Sequence, residues 1–111
     1  MAQNFQNELK NNITLLASPT VLRAATTTND AIIGVRCTNT SGVSVDVSVY
    51  VEFSSNNYFI IKTAPIPTGG SLELIDGGSK VVLQTGDSVE AYASAATSVD
   101  IVLSVVDSIS T

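Results

Sequence analysis

Ten carboxylates, one thiol and no histidine are the material from which any chemistry in this 111-residue chain must be made. The missing histidine removes the commonest general base, the base of nucleophilic triads and the commonest transition-metal ligand together. A lone cysteine, Cys37, cannot assemble a thiolate-rich zinc or iron–sulfur site. Carboxylate pairs and hard cations remain. The acids are Glu8, Asp30, Asp46, Glu52, Glu73, Asp76, Asp87, Glu90, Asp100 and Asp107. Most fall at outward strand positions or in turns, which suits a solvated surface better than a glycosidase pair. Asp76-Gly77-Gly78 and Gly86-Asp87 join an acid to glycine, as calcium loops do, but neither carries the dense alternating oxygen ligands of such a loop. Tight turns explain both, because glycine supplies the positive φ angles they need. Gly69-Gly70 follows Pro65 and Pro67 and lacks the lysine and the following helix of a phosphate loop. These residues predict a non-enzymatic protein with no catalytic centre, no metal and no cofactor.

Surface chemistry points to protein partners. Five Lys and Arg against ten Asp and Glu give a net charge of −5, which opposes the counterion release that drives binding to phosphate backbones, so no direct nucleic-acid contact is expected. Charged residues make up only 14% of the chain while Ser and Thr are abundant, so much of the polar surface is hydroxyl and can be covered at little electrostatic cost. Three Tyr, three Phe and no Trp leave little material for a sugar platform or a base-stacking surface. Tyr50 and Tyr92, both expected to face outward on strands, are the natural interface anchors. Tyr58 and Phe59 adjoin in one strand and must point to opposite faces, one to the core and one to a contact.

The elements that must position these residues are strands. From Val43 to Phe53, Val43, Val45, Val47, Val49, Val51 and Phe53 alternate with Ser44, Asp46, Ser48, Tyr50, Glu52 and Ser54, so one face is buried and the other is not. Val99, Ile101, Leu103 and Val105 repeat the pattern, although the opposite face also carries Val102 and Val106. Other β-rich runs cover 13–17, 20–24, 31–38, 58–62, 71–75, 80–84 and 88–94. Between them lie Ser18-Pro19, Asn29-Asp30, Ser41-Gly42, Asn56-Asn57, Pro67-Thr68-Gly69-Gly70, Asp76-Gly77-Gly78 and Gly86-Asp87, all with turn chemistry. Eight to nine short strands at this spacing predict an all-β, antiparallel β-sandwich of jelly-roll type. Cys37, inside the apolar run 31–37, reads as a small buried hydrophobe.

The predicted sandwich spans residues 12–111 and follows a short N-terminal arm, residues 1–11. In the arm, Met1, Phe5 and Leu9 recur every four residues and would line one side of a helix, too short to hold by itself, that orders on docking to a neighbour; for Asn4 to Lys10 a single turn and an extended arm, able to add a strand to an adjacent subunit, are equally open. The alternative is that Phe5 and Leu9 cap the protein's own sandwich. The opening residues lack the basic start and apolar core of a signal peptide, and no run reaches the length of a membrane span, so folding in a cytoplasm without membrane contact is expected. The sequons Asn12-Ile13-Thr14 and Asn39-Thr40-Ser41 then carry no glycosylation meaning.

The order of these segments resembles a known group. Residues 62–74, with Pro65, Pro67, Gly69 and Gly70, then 78–87 with Lys80 and Gly86-Asp87, then 98–104 ending in Leu103-Ser104, are similar to a cadence in small β-sandwich virion proteins of tailed bacteriophages. Asn4-Phe5 with Glu8-Leu9-Lys10, and the stretch 31–40, resemble those of myophages of marine cyanobacteria in particular. The resemblance implies a virion protein made in the bacterial host cytoplasm and present in many copies: a capsid decoration (cement) protein or a neck or tail component. Its partners would be other virion proteins and copies of itself, with no catalytic residues to carry over. The alternative is a receptor- or carbohydrate-binding module of a tail fibre or baseplate, which calls for an exposed aromatic patch. Phe5, Leu9, Tyr50, Tyr58 and Tyr92 are the expected interface residues.

Overall fold

The computed structural model describes residues 4–15, 17–25, 29–75 and 81–107, with the side chains of all but Asn4 and Asp107. Nine strands form among them: β1 (Asn4–Lys10), β2 (Thr20–Ala24), β3 (Asp30–Asn39), β4 (Val45–Phe53), β5 (Asn56–Ile66), β6 (Ser71–Glu73), β7 (Val81–Leu83), β8 (Ser88–Ala93) and β9 (Val99–Asp107). One sheet, sheet A, runs β1-β9-β3 and then β6, with β7 on the same side of β3; the other, sheet B, runs β2-β8-β4-β5. All pairings are antiparallel. β6 and β7 both pair with β3, Glu73 opposite Arg36 and Val81 opposite Ile32, and together they take one place in the sheet. Counted so, the strand order is that of a jelly roll, as expected from the sequence.

The alternation of the valines decides which residues meet between the sheets. Val45, Val47 and Val49 of β4 and Val99, Ile101, Leu103 and Val105 of β9 lie in one buried cluster, with Val51 packed partly against it. Leu22, Ile32, Val35, Ile66, Leu83 and Val89 complete it from the other strands. Cys37 is fully buried there, and burial pushes its thiol up to about 12, so it behaves as the small apolar residue expected.

Three local expectations are corrected. The described residues of the 13–17 run, 13–15 and 17, are not in a strand. Ile13 and Thr14 bridge the two sheets, with Ile13 N–H donating to the Val99 carbonyl of sheet A and the Thr14 carbonyl accepting from Ala93 N–H of sheet B. The turn expected at Asn56-Asn57 lies two residues earlier, at Ser54 (φ 53°) and Ser55 (φ 66°), whose paired positive φ angles make a two-residue hairpin. Ser55 N–H donates to Glu52 Oε2 at 3.0 Å, which supplies the local anchor that Asn-Gly turns do without. Asp30 is not in a turn. It opens β3, is 2% exposed, and accepts from Arg23 Nε at 2.9 Å.

The N-terminal segment takes the extended form and not the helical one, and it joins its own domain instead of standing off as an arm. Residues 4–10 pair with β9 in continuous register, Phe5 opposite Val106 through Lys10 opposite Ile101. The backbone edge of β9 supplies partners that the polar sequence of this segment could not find within itself. Its side chains stay outside the core: Phe5 and Leu9 are 78% and 64% exposed. They therefore do not cap the sandwich.

Candidate functional site

A sandwich without an enclosed centre offers its two outer faces. On sheet B, Tyr50 of β4, Tyr92 of β8 and Phe59 of β5 come together because the pairings Ser48–Tyr92 and Tyr50–Phe59 place neighbouring strands' aromatics on one side. Ring centroids are 5.1 Å apart for Tyr50 and Phe59, 6.1 Å for Tyr50 and Tyr92, and 6.5 Å for Phe59 and Tyr92, with the planes tilted or edge-on throughout. Lys62 Nζ sits 4.9 Å from the Phe59 centroid. The tyrosine assigned as an anchor is thereby covered: Tyr50 is only 2% exposed, although it faces outward. Its hydroxyl donates to Glu90 Oε1 at 2.9 Å, and burial, together with the Glu90 carboxylate, raises its pKa. Ser88 Oγ donates to Glu90 Oε2 at 3.0 Å. The group is a self-packed cluster with its ring faces spent on one another, not a flat platform.

Tyr58 stands apart from this cluster. It is opposite Val51, on the other face of β5 from Phe59, and both members of the Tyr58-Phe59 step are exposed, at 57% and 38%. Neither is the core residue expected of one of them. The β4–β5 hairpin end carries Phe53 exposed as well, so the core-facing side there lacks cover from the opposite sheet.

Sheet A presents a different outer face. Phe5 and Leu9 of β1 share it with Val102 of β9 and Val82 of β7, which follows from the pairings Leu9–Val102 and Ala31–Val82. All four are exposed. Between them lie small or uncharged positions, Asn7, Gly34 and Ser104, and an ion pair, Arg36 Nε to Glu73 Oε1 at 2.9 Å. Ile33, the extra residue of a bulge in β3, stands beside Phe5 and Ser104 in one shallow depression of this face; a second lies by Leu9, Asp100 and Val102, and a third by Gly34, Arg36 and Glu73. Sequence reasoning named Phe5 and Leu9 and noted Val102 as apolar on the wrong side of its strand, but the period-two signal could not show that the three would be neighbours.

Where the two sheets' first strands meet, charge closes the gap. Arg23 of β2 donates from Nη1 to Glu8 Oε2 at 2.8 Å and to Gln6 Oε1 at 3.1 Å, and from Nε to Asp30 Oδ2 at 2.9 Å. Burial works against the guanidinium charge, but the two carboxylates outweigh it and raise the Arg23 pKa. The sequence offered no signal for this cluster, because its members sit on three successive strands that belong to two different sheets.

Nothing in these arrangements assembles reactive groups. Asp87 Oδ2 accepts from Gln84 N–H at 2.9 Å and so closes its own turn, while Asp76 lies outside the described residues. No group of three or more His, Cys, Asp or Glu side chains that could hold a metal ion occurs among the described residues. Asn39, the first residue of a sequon, is 1% exposed and uses Nδ2 on the Val43 and Ile66 carbonyls and Oδ1 on Ser41, so it is a structural pin for the following loop. What the molecule offers a partner is surface, chiefly the apolar outer face of sheet A. Comparison with protein families, curated proteins and solved structures finds no match to this chain, so that surface and the fold beneath it are what speak for its role.

Proposed function

We propose that this domain is a non-enzymatic structural protein of a tailed-phage virion, a capsid decoration protein or a neck or tail component, that works by covering and joining neighbouring subunits. The observation that carries the reading is the outer face of sheet A, where Phe5, Leu9, Val82 and Val102 stand exposed; Arg36 and Glu73 between them are paired with each other, and Asp100 lies at the Leu9 end. Monomeric proteins seldom gather large apolar side chains on one open face unless something covers them. The resemblance of the chain's segment order to small phage virion proteins supports the choice of assembly. The sugar-binding alternative draws less support, because the aromatic cluster of sheet B presents tilted, mutually packed rings.

The test is retention on particles. Phage particles assembled with the tagged chain should keep it through purification, and its copy number should separate the locations: hundreds on a capsid, a dozen or so in a neck or baseplate ring. Val102→Asp combined with Val82→Asp alters only exposed side chains and should abolish retention while leaving the melting transition intact. Particles that lack the chain, or that retain the doubly substituted chain undiminished, would overturn the reading.

A further inference from the structure

The sandwich has four sheet edges among its described residues, and they are not built alike. β2 is five residues long and its register breaks between Val21 and Arg23. β5 carries Pro65, a positive φ of 54° at Thr63, and two register shifts against β4. The β6/β7 edge consists of two three-residue pieces. Each of these features obstructs the addition of a further strand. β1 has none of them: its seven residues pair with β9 without a shift and include no proline.

We propose that β1 is a homodimer edge, at which two copies pair β1 antiparallel to β1 about a twofold axis through Asn7 and so join their A sheets into one continuous sheet. A twofold axis between antiparallel edge strands stands perpendicular to the sheet, so facing residues are placed symmetrically about one central residue and the inner faces stay on one side. Asn7 is the middle of Asn4–Lys10, and centring there engages the whole strand. Phe5 of each copy then lies opposite Leu9 of the second copy on the outer face, which covers the two most exposed large apolar side chains of the described chain, at 78% and 64%.

Charge selects a second copy as the occupant. The strand holds one acid and one base, so β1 is locally neutral in a chain of net charge −5. Glu8, already 2.8 Å from Arg23 Nη1, would face Gln6 of the second copy, so no two like charges are directly opposed. A foreign strand would have to bring apolar residues at this spacing and a neutral edge, whereas β1 supplies both halves itself. The pairing follows from the edge alone and stands whether or not the dimer enters a virion.

Cysteine placed at the axis tests the register. Facing residues of an antiparallel pair have Cα atoms about 4.5–5.5 Å apart, within disulfide reach. Asn7→Cys in the full chain should therefore form a disulfide-linked dimer on mild oxidation. Leu9→Cys should not, because its two copies would lie about 13 Å apart along the strands, beyond that reach. Cys37 is fully buried and does not compete. Sedimentation of the unaltered chain should show a concentration-dependent dimer, and Leu9→Lys should raise its dissociation constant roughly tenfold or more by removing apolar burial twice per dimer. A chain that stays monomeric into the millimolar range, an Asn7→Cys variant that does not cross-link, or equal cross-linking of Leu9→Cys would each overturn the proposal.

Discussion

Replacing Arg23 by alanine should be among the most costly single changes outside the apolar core. Asp30 is 2% exposed and Arg23 holds one of its oxygens at 2.9 Å; the other, Oδ1, has no hydrogen-bond partner. Without the guanidinium, a buried carboxylate remains with its Arg23 pairing removed, a situation that costs about 3–5 kcal/mol in buried pairs. Arg23 keeps 13% of its side chain in contact with solvent, so water can partly replace it, which places the cost near the lower end, about 3 kcal/mol. For a domain of this size that is a fall in Tm of roughly 12 °C. Asp30→Ala should cost less, about 1–2 kcal/mol, because Arg23 retains Glu8 at 2.8 Å and Gln6 at 3.1 Å. In the double variant neither charge is stranded, so its loss should fall well short of the sum of the two. Urea unfolding of the three variants gives the cycle directly. If Arg23→Ala cost under about 1 kcal/mol, or no more than Asp30→Ala, the claim that Arg23 neutralises a buried charge would be wrong.

Cys37, with a thiol pKa pushed up to about 12 from an ordinary 9.0, keeps its proton in the native state after the unfolded chain has lost it; its contribution is fully present below pH 9 and declines from there toward pH 12. Stability should therefore fall over that window, less steeply in Cys37→Ala than in the parent, and thiol reagents should modify the parent only as fast as it unfolds. Ser55→Gly should raise stability by roughly 0.5–1 kcal/mol, measured by urea unfolding, because glycine adopts the positive φ of 66° without the steric cost a side chain incurs. Deleting residues 1–10 should lower Tm by several degrees and promote aggregation in light scattering, since it removes the ladder along β9 and the Glu8 contact of Arg23; an unchanged Tm would mean that β1 contributes nothing to the isolated fold.

The sequence by itself determined the fold class and much of the interior. Alternation in 45–51 and 99–105 names the residues that face inward, because successive side chains on a strand point to opposite sides whatever the neighbours are. The Gly86-Asp87 turn was equally legible, since Gly86 takes a φ of 100° that other residues seldom adopt. The missing histidine bounds the chemistry whatever the fold. Tertiary structure decided what covers each face. Tyr50 points outward as its position in the alternation says, yet it is buried because Phe59 and Tyr92 close over it from the two adjacent strands. Asn4–Lys10 carries no strong strand pattern and becomes a strand because β9, nearly a hundred residues later, offers an open edge. Asp30 looks like a turn residue and is buried because Arg23 reaches it from β2. Periodicity records which side of its own strand a residue occupies, a property of the local backbone. Burial, pairing and charge neutralisation depend on which distant strand arrives beside it, and that is fixed only when the two sheets close.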